Sequence, residues 1–98
     1  MTRLVYDPET VGDFDRIFDH FARHDPLAAR ETIGHIVEAM GILVKSPLLG
    51  RPIAGGKREL VIGRGTRGFV ALYRYLPRDD LVWVLAIRGQ REAGYKRG

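Results

Sequence analysis

The spacing of apolar residues changes halfway along this chain of 98 residues, and that change limits the folds it can adopt. Up to Val44, apolar residues recur at intervals of three and four, which is the period of one face of an α-helix. A loop rich in glycine and proline follows at residues 47–57 (PLLGRPIAGGK). After it, apolar residues form short runs of strand length between turn residues. We therefore predict that helices from the first half pack on a sheet from the second.

Two helices are predicted in the first half, and both have strong start signals. Asp7-Pro8-Glu9 and Asp25-Pro26 each combine a side chain that can cap free amides with a proline suited to the first helical position. The predicted apolar faces are Val11, Phe14, Ile17, Phe18 and Phe21 in the first helix, and Ile33, Ile36, Val37, Met40, Leu43 and Val44 in the second. Lys45-Ser46-Pro47 is predicted to end the second helix. Because the link between the helices is short, we expect an antiparallel helical hairpin.

Four strands are predicted, one before the helices and three after them. The first, at residues 3–6, is an edge or entry strand, and the others lie at 59–62, 69–75 and 81–87. Short turns between the last three favour an antiparallel meander. The order β-α-α-β-β-β gives an α+β fold, with the helical hairpin packed on one face of a curved antiparallel sheet. The opposite face is left for the basic loop at 63–68 and the basic segment at 88–98.

The basic residues are concentrated in the second half of the chain. Residues 1–50 contain five Lys or Arg and eight acidic residues, a net charge of −3. Residues 51–98 contain eleven Lys or Arg and four acidic residues, a net charge of +7. This asymmetry predicts one positively charged side that attracts a polyanion or an acidic protein. The alternative interpretation is an arginine-rich surface that is solvated and binds no partner.

Length and composition predict one domain, residues 1–98, and exclude several classes of site. The chain has no cysteine, which rules out disulfides and thiolate metal sites. His20 and His24 could face one metal ion, but no third ligand has a suitable spacing. The glycine-rich segments contain no nucleotide-binding pattern. We therefore expect neither a metal nor a cofactor. Because no apolar run has the length of a signal peptide or a bilayer span, we expect a cytoplasmic protein without a membrane partner.

Several short segments of the second half resemble those of one protein family. They are Leu49-Gly50-Arg51-Pro52, Arg58-Glu59-Leu60, Gly68-Phe69-Val70-Ala71-Leu72-Tyr73-Arg74, Val84-Leu85-Ala86-Ile87-Arg88 and Gln90-Arg91-Glu92-Ala93-Gly94-Tyr95. Together with the predicted order of elements, they resemble the RelE/ParE superfamily of toxins. The resemblance implies a type II toxin–antitoxin pair. The implied partner is an antitoxin with a DNA-binding part, which would contact operator DNA, and an acidic segment that would wrap the toxin.

The superfamily has two branches with different targets. The RelE branch consists of ribosome-dependent mRNA endonucleases, whereas the ParE branch poisons DNA gyrase. In RelE-like enzymes a basic residue follows the glycine–aromatic pair that opens the middle strand. Here the pair is Gly68-Phe69 and the next residue is Val70, so the expected arginine is missing. This departure favours ParE-like inhibition of gyrase. A RelE-like nuclease acting at the ribosome and an inactive antitoxin-binding module remain the alternatives.

Six residues are predicted to contact the target or the antitoxin, namely Arg58, Arg67, Arg74, Arg88, Arg91 and Tyr95. In the ParE-like interpretation none of them is catalytic. In the RelE-like interpretation the arginines would hold phosphate, and the tyrosine would transfer a proton or stack on a base. The candidate catalytic set would then be Arg58, Arg67, Arg88, Arg91 and Tyr95.

Overall fold

The computed structural model describes residues 1–63 and 68–96. In chain order its helices and strands are β1 (Arg3–Tyr6), α1 (Thr10–Ala22), α2 (Pro26–Met40), β2 (Arg51–Ile53), β3 (Lys57–Ile62), β4 (Phe69–Leu76) and β5 (Leu81–Gly89). A 3-10 helix at Gly41–Val44 continues α2 towards its predicted end. The α+β class and the predicted order of elements are confirmed, with β2 as an additional strand. Most of the predicted basic loop, residues 64–67, lies outside the described residues.

The predicted start of α2 is confirmed in detail. One carboxylate oxygen of Asp25 accepts hydrogen bonds from the amides of Leu27 at 3.1 Å and Ala28 at 3.2 Å. Pro26 is the first residue of the helix, where its missing amide hydrogen costs nothing. No helix in the described part of the chain is long and apolar enough to cross a membrane.

The start of α1 differs slightly from the prediction. The helix begins at Thr10 rather than at Pro8. A tight turn comes first, because the Thr10 amide donates to the carbonyl of Asp7 at 2.9 Å. The Asp7 carboxylate accepts from the Glu9 amide at 3.0 Å. Asp7 therefore caps the turn that leads into the helix.

The five strands form one sheet in the order β1-β5-β4-β3-β2. Strands β2 to β5 pair antiparallel, as predicted for the last three, and β1 lies at an edge, also as predicted. However, β1 pairs with β5 in parallel, so the sheet is mixed rather than wholly antiparallel. The two strands are not joined by a short turn, which would make them antiparallel. The helical hairpin and three other strands lie between them in the chain.

The core lies between the helices and one face of the sheet. It is built from Ile17, Ile36, Met40, Leu43, Leu60, Phe69, Ala71, Tyr73, Val82, Val84 and Ile87. Ala71 and Tyr73 of β4 belong to this core, so their neighbours Val70 and Leu72 point to the opposite side of the sheet. We call that side, which faces away from the helices, the outer face.

Helix α1 completes the edge of β5 beyond the end of β1. The last paired residues of β1 and β5 are Tyr6 and Val84, whereas β5 continues to Gly89. The exposed backbone at Ile87 is satisfied by side chains of α1. The Ile87 amide donates to the buried carboxylate of Asp13 at 3.0 Å, and the Ile87 carbonyl accepts from Arg16 at 3.2 Å. The helical hairpin is thereby fixed to the sheet edge by polar contacts as well as by the core.

Candidate functional site

Charged side chains from β2, β3 and β5 lie on the outer face, on either side of β4. The register places Glu59 of β3 between Arg51 of β2 and Leu72 of β4. It also places Arg88 of β5 beside Val70 of β4. Because Val70 and Leu72 point away from the helices, the side chains paired with them do so too.

Glu59 is the centre of this cluster. Its side chain is only 7% exposed, and one carboxylate oxygen accepts two hydrogen bonds from the Arg51 guanidinium, at 2.8 and 3.2 Å. The other oxygen accepts a hydrogen bond from the Tyr95 hydroxyl at 2.7 Å. These bonds, first that from Tyr95 and then those from Arg51, lower the pKa of Glu59 against the opposing effect of burial. The carboxylate is therefore charged and fully engaged at neutral pH.

Tyr95 lies across the middle strand of the sheet. The guanidinium carbon of Arg88 sits 5.2 Å from the centroid of the Tyr95 ring, in cation–π geometry. Since Glu59 and Arg88 flank β4 on its two sides, the tyrosine that contacts both spans β4. Val70 and Leu72 are buried there, although the helices cover the other face. Burial, followed by the bond to Glu59, raises the pKa of the Tyr95 hydroxyl above its ordinary value.

The segment that carries Tyr95, residues 90–96, is called the strap. Its first attachment is Glu92, whose carboxylate forms a two-point ion pair with Arg16 of α1 at 2.8 and 3.0 Å. The same carboxylate accepts from the Gly89 amide at 2.7 Å. Burial would raise the pKa of Glu92, but the bonds from Arg16 and Gly89 outweigh it, and the pKa lies below its ordinary value. The strap thus passes from the helix side at Glu92 to the outer face at Tyr95.

Comparison with known proteins identifies the fold and the family. A family model described as "ParE toxin of type II toxin-antitoxin system, parDE" matches residues 4–94. The chain belongs to the ParE toxin family. A search of curated proteins gives no match. Among solved structures, a chain of the "Chromosomal ParDE TA system from P. aeruginosa" is similar, with a TM-score of 0.77 and 28% sequence identity. The alignment covers 91% of this chain and 96% of that one.

These comparisons confirm the resemblance to the RelE/ParE superfamily and its ParE branch. This ParE toxin has two helices packed on a five-stranded mixed sheet, whereas the sequence predicted four strands in an antiparallel sheet.

The structure of the ParE toxin places the predicted contact residues on different surfaces. Arg88 and Tyr95 are stacked on the outer face, and Arg74 of β4 points to the same side. Arg91 is exposed on the strap. Arg58 is separated from them, because it pairs in register with the core residue Tyr73 and so lies on the helix side. Arg67 lies outside the described residues.

Arg58 has a local structural task. Its guanidinium donates to the carbonyl of Gly50 at 2.8 Å and to that of Leu48 at 3.2 Å, in the loop that follows α2. The same loop is held from inside by Tyr73, whose hydroxyl accepts from the Gly50 amide and donates to the Pro47 carbonyl, both at 2.8 Å. Arg58 is therefore engaged in holding the connection between the helices and β2.

Sequence reasoning missed the acidic partners of the outer face and the strap. Glu59 was quoted only as part of a family segment, and Arg51, Arg16 and Glu92 were not singled out. One signal was available for Glu59, which is a lone acidic residue inside a strand of the strongly basic half. The pairing of Arg16 with Glu92 had no local signal, because 76 positions separate the two residues. No group of three or more potential metal ligands occurs among residues 1–63 and 68–96.

A second surface lies between α2 and the outer edge of β3. In the described residues β2 pairs with β3 only at Lys57–Glu59, so β3 has one free edge from Leu60 to Ile62. A cleft of about 520 Å³ lies beside this edge, and exposed apolar side chains of Ile42, Leu49 and Val61 line it. Exposed apolar groups beside an unpaired strand edge are typical of surfaces that bind another chain.

Proposed function

We propose that this ParE toxin inhibits DNA gyrase by binding it, and that an antitoxin holds the toxin inactive. The observation that carries this proposal is the placement of Tyr95. Its hydroxyl donates to Glu59 while Arg58, its predicted partner in a nuclease site, lies on the opposite side of the sheet. Binding without chemistry needs only an accessible charged surface.

The geometry is unfavourable for cleavage of RNA by the predicted catalytic set. A proton-transferring tyrosine must exchange its proton near neutral pH, yet burial and the Glu59 carboxylate raise the pKa of Tyr95. The Arg58 donors are directed to backbone carbonyls rather than to a place where phosphate could bind. These contacts support the binding hypothesis over the RelE-like alternative.

The proposed target surface is the cationic outer face and its rim. Arg74 and Arg88 project from the sheet, and Arg91 is exposed on the neighbouring strap. With a net charge of +7 over residues 51–98, this side would attract an acidic surface on the target and accelerate the encounter.

The proposed antitoxin surface is the cleft between α2 and β3. An extended antitoxin segment could pair with the free edge at Leu60–Ile62 and place alternate apolar side chains beside Ile42 and Leu49. Its acidic residues would lie near Lys57 and Arg51 on the adjoining strands. The antitoxin would carry the contacts to operator DNA.

Inhibition of supercoiling by the purified toxin tests the target. We expect the wild-type protein to inhibit gyrase, and the double variant Arg74→Glu, Arg91→Glu to require at least about tenfold more protein for the same effect. The matched control is Arg78→Glu, an exposed arginine on the turn after β4, which should inhibit like wild type. Thermal unfolding verifies that each variant is folded.

Two results would contradict the gyrase proposal. One is unchanged supercoiling in the presence of folded wild-type toxin. The other is cleavage of ribosome-bound mRNA by the toxin, which would restore the RelE-like alternative. Expression of the toxin without growth arrest would support the inactive module instead.

The antitoxin surface is tested separately. Ile42 is 50% exposed in the cleft, on the α2 side, and Ile42→Lys is expected to weaken binding of the cognate antitoxin by at least about tenfold without changing gyrase inhibition. The control is Val11→Lys on α1, where the valine is 61% exposed and away from the cleft. Equal antitoxin affinity of wild type and Ile42→Lys would place the antitoxin elsewhere.

A further inference from the structure

Beyond Gln90, whose amide donates to the Gly68 carbonyl at 2.9 Å, the strap is attached by two side chains that make unequal numbers of contacts. At the first, Glu92 makes a two-point ion pair with Arg16 and accepts from the Gly89 amide, so it is held by three charge-assisted hydrogen bonds. At the second, Tyr95 has one hydroxyl bond to Glu59 and one stacking contact with Arg88. The second attachment can therefore be lost while the first is kept.

A hinge lies between the two attachments. Gly94 has a φ of +151°, a conformation that side-chain-bearing residues rarely adopt. A Cβ at this position would have nothing within 4 Å, so an added methyl group would not clash. Gly94 directly precedes Tyr95.

The closed position of the tyrosine leaves one buried group unsatisfied. The Nε of Arg88 is buried and has no hydrogen-bond partner, and the Tyr95 ring packs on the same guanidinium. An unpaired N–H of a guanidinium is unfavourable away from water. Lifting Tyr95 would hydrate this group, which offsets part of the loss of the Tyr95 contacts.

We propose that residues 94–96 form a latch that hinges at Gly94 and alternately covers and uncovers the outer face. In the closed state Tyr95 bridges Glu59 and Arg88 over Val70 and Leu72. In the open state those two apolar side chains and the Arg88 guanidinium become accessible together. The uncovered surface fits an acidic polypeptide segment that bears an apolar side chain, because a basic group then flanks an apolar floor.

The latch is an autoinhibitory contact of the outer face. It goes beyond the proposed function, and only the identity of the natural partner rests on gyrase being the target. Opening and closing is a property of the isolated chain and can be measured without any target.

Fluorine NMR of the chain with 3-fluorotyrosine at position 95 measures the two states directly. We expect two environments in exchange, one buried and one solvated. Gly94→Ala disfavours the closed backbone conformation without a clash and is expected to raise the open-to-closed ratio at least about fivefold. Glu59→Gln, which removes the charge that holds the hydroxyl, is expected to shift the ratio the same way. Glu38→Gln on the exposed side of α2 is the control and leaves the ratio unchanged.

A short polyglutamate peptide with one leucine serves as the binding probe. It is expected to increase the solvated signal of wild type and to bind Gly94→Ala at least about fivefold more tightly, because less of that variant is closed. A single buried environment that neither Gly94→Ala nor the peptide changes would overturn the latch. Two environments in a toxin that leaves gyrase unaffected would support the latch and refute the proposed function.

Discussion

Asp13 is a single residue on which the attachment of α1 to the sheet depends. Its side chain is 1% exposed, accepts from the Ile87 amide and pairs with Arg16 at 3.1 Å. Asp13→Ala removes this acceptor, so the buried Ile87 amide loses its hydrogen-bond partner and the Arg16 guanidinium loses one of its ion pairs. We expect a loss of about 3 kcal/mol in the free energy of unfolding, measured by urea denaturation.

The control for this substitution is Asp15→Ala on the same helix. Asp15 is exposed, and its replacement is expected to change the free energy of unfolding by less than about 0.5 kcal/mol. A similar small effect of Asp13→Ala would mean that the contact with β5 contributes little to stability.

The Tyr73 hydroxyl is the other polar group on which buried backbone depends. It satisfies the Gly50 amide and the Pro47 carbonyl, and burial raises its pKa. Tyr73→Phe keeps the ring in the core but leaves both backbone groups without their hydrogen-bond partner. The expected cost is about 2 kcal/mol in thermal or denaturant unfolding, whereas Tyr75→Phe, at a half-buried position, is expected to cost clearly less.

At this scale the sequence could indicate residue types but not their partners. Arg88 and Tyr95 are both predicted contact residues and do lie together, but β5 ends at Gly89, so no strand period could predict that the strap returns Tyr95 to Arg88. Arg58 could not be assigned to a face, because the side on which a strand residue points depends on the register with its neighbours. Glu59 and Glu92 find their partners only through strand pairing and helix packing.

At the scale of elements, local chemistry determined what could be predicted. The Asp25-Pro26 start of α2 and the extents of the three long strands follow from capping and from apolar period, which are properties of neighbouring residues. β2 was missed because three residues beside glycines carry almost no strand signal. The parallel direction of β1 relative to β5 had no local signal either, because the helical hairpin and three other strands separate them in the chain.

Two glycines in different elements allow a matched test of local packing. Gly34 lies inside α2, and a Cβ there would have nothing within 4 Å. Gly34→Ala is therefore expected to raise the free energy of unfolding by about 1 kcal/mol through better helix propensity. A Cβ at Gly50 would approach a Tyr73 ring carbon to 2.6 Å, so Gly50→Ala is expected to destabilise.

Thermal unfolding of both variants measures the difference in sign. Stabilisation by Gly50→Ala would mean that the loop after α2 can shift away from Tyr73. Destabilisation by Gly34→Ala would contradict the regular helical backbone and the open space found at this position.

For the molecule as a whole, we expect the free energy of unfolding to fall at acidic pH, because the carboxylates of Glu59 and Glu92 bind arginine side chains on the basic surface. The pKa values of Glu59 and Glu92 are both lowered in the fold from an ordinary value of 4.5. A lowered folded-state pKa contributes stability that is complete above the ordinary value and is lost as pH falls below it. We expect the midpoint of urea unfolding to be constant near neutral pH and to decline below about pH 4.5.

Substitution of single carboxylates tests which of them causes the loss of stability at acidic pH. Glu92→Gln is expected to lower stability at neutral pH and to make the decline below pH 4.5 shallower. Glu31→Gln, at an exposed position of α2, is expected to leave the profile unchanged. If the urea midpoint declined below pH 4.5 equally in wild type and Glu92→Gln, the Glu92 carboxylate would not be a source of the pH dependence.

The parallel pairing of β1 with β5 joins residues 3–6 to residues 81–84. During synthesis the first strand to leave the ribosomal tunnel has no partner until nearly all of the domain has followed it. Closing so large a loop is entropically unfavourable and slow compared with forming the helical hairpin. The β1–β5 pairing, and with it the complete sheet, therefore cannot form until the last strand has left the ribosome.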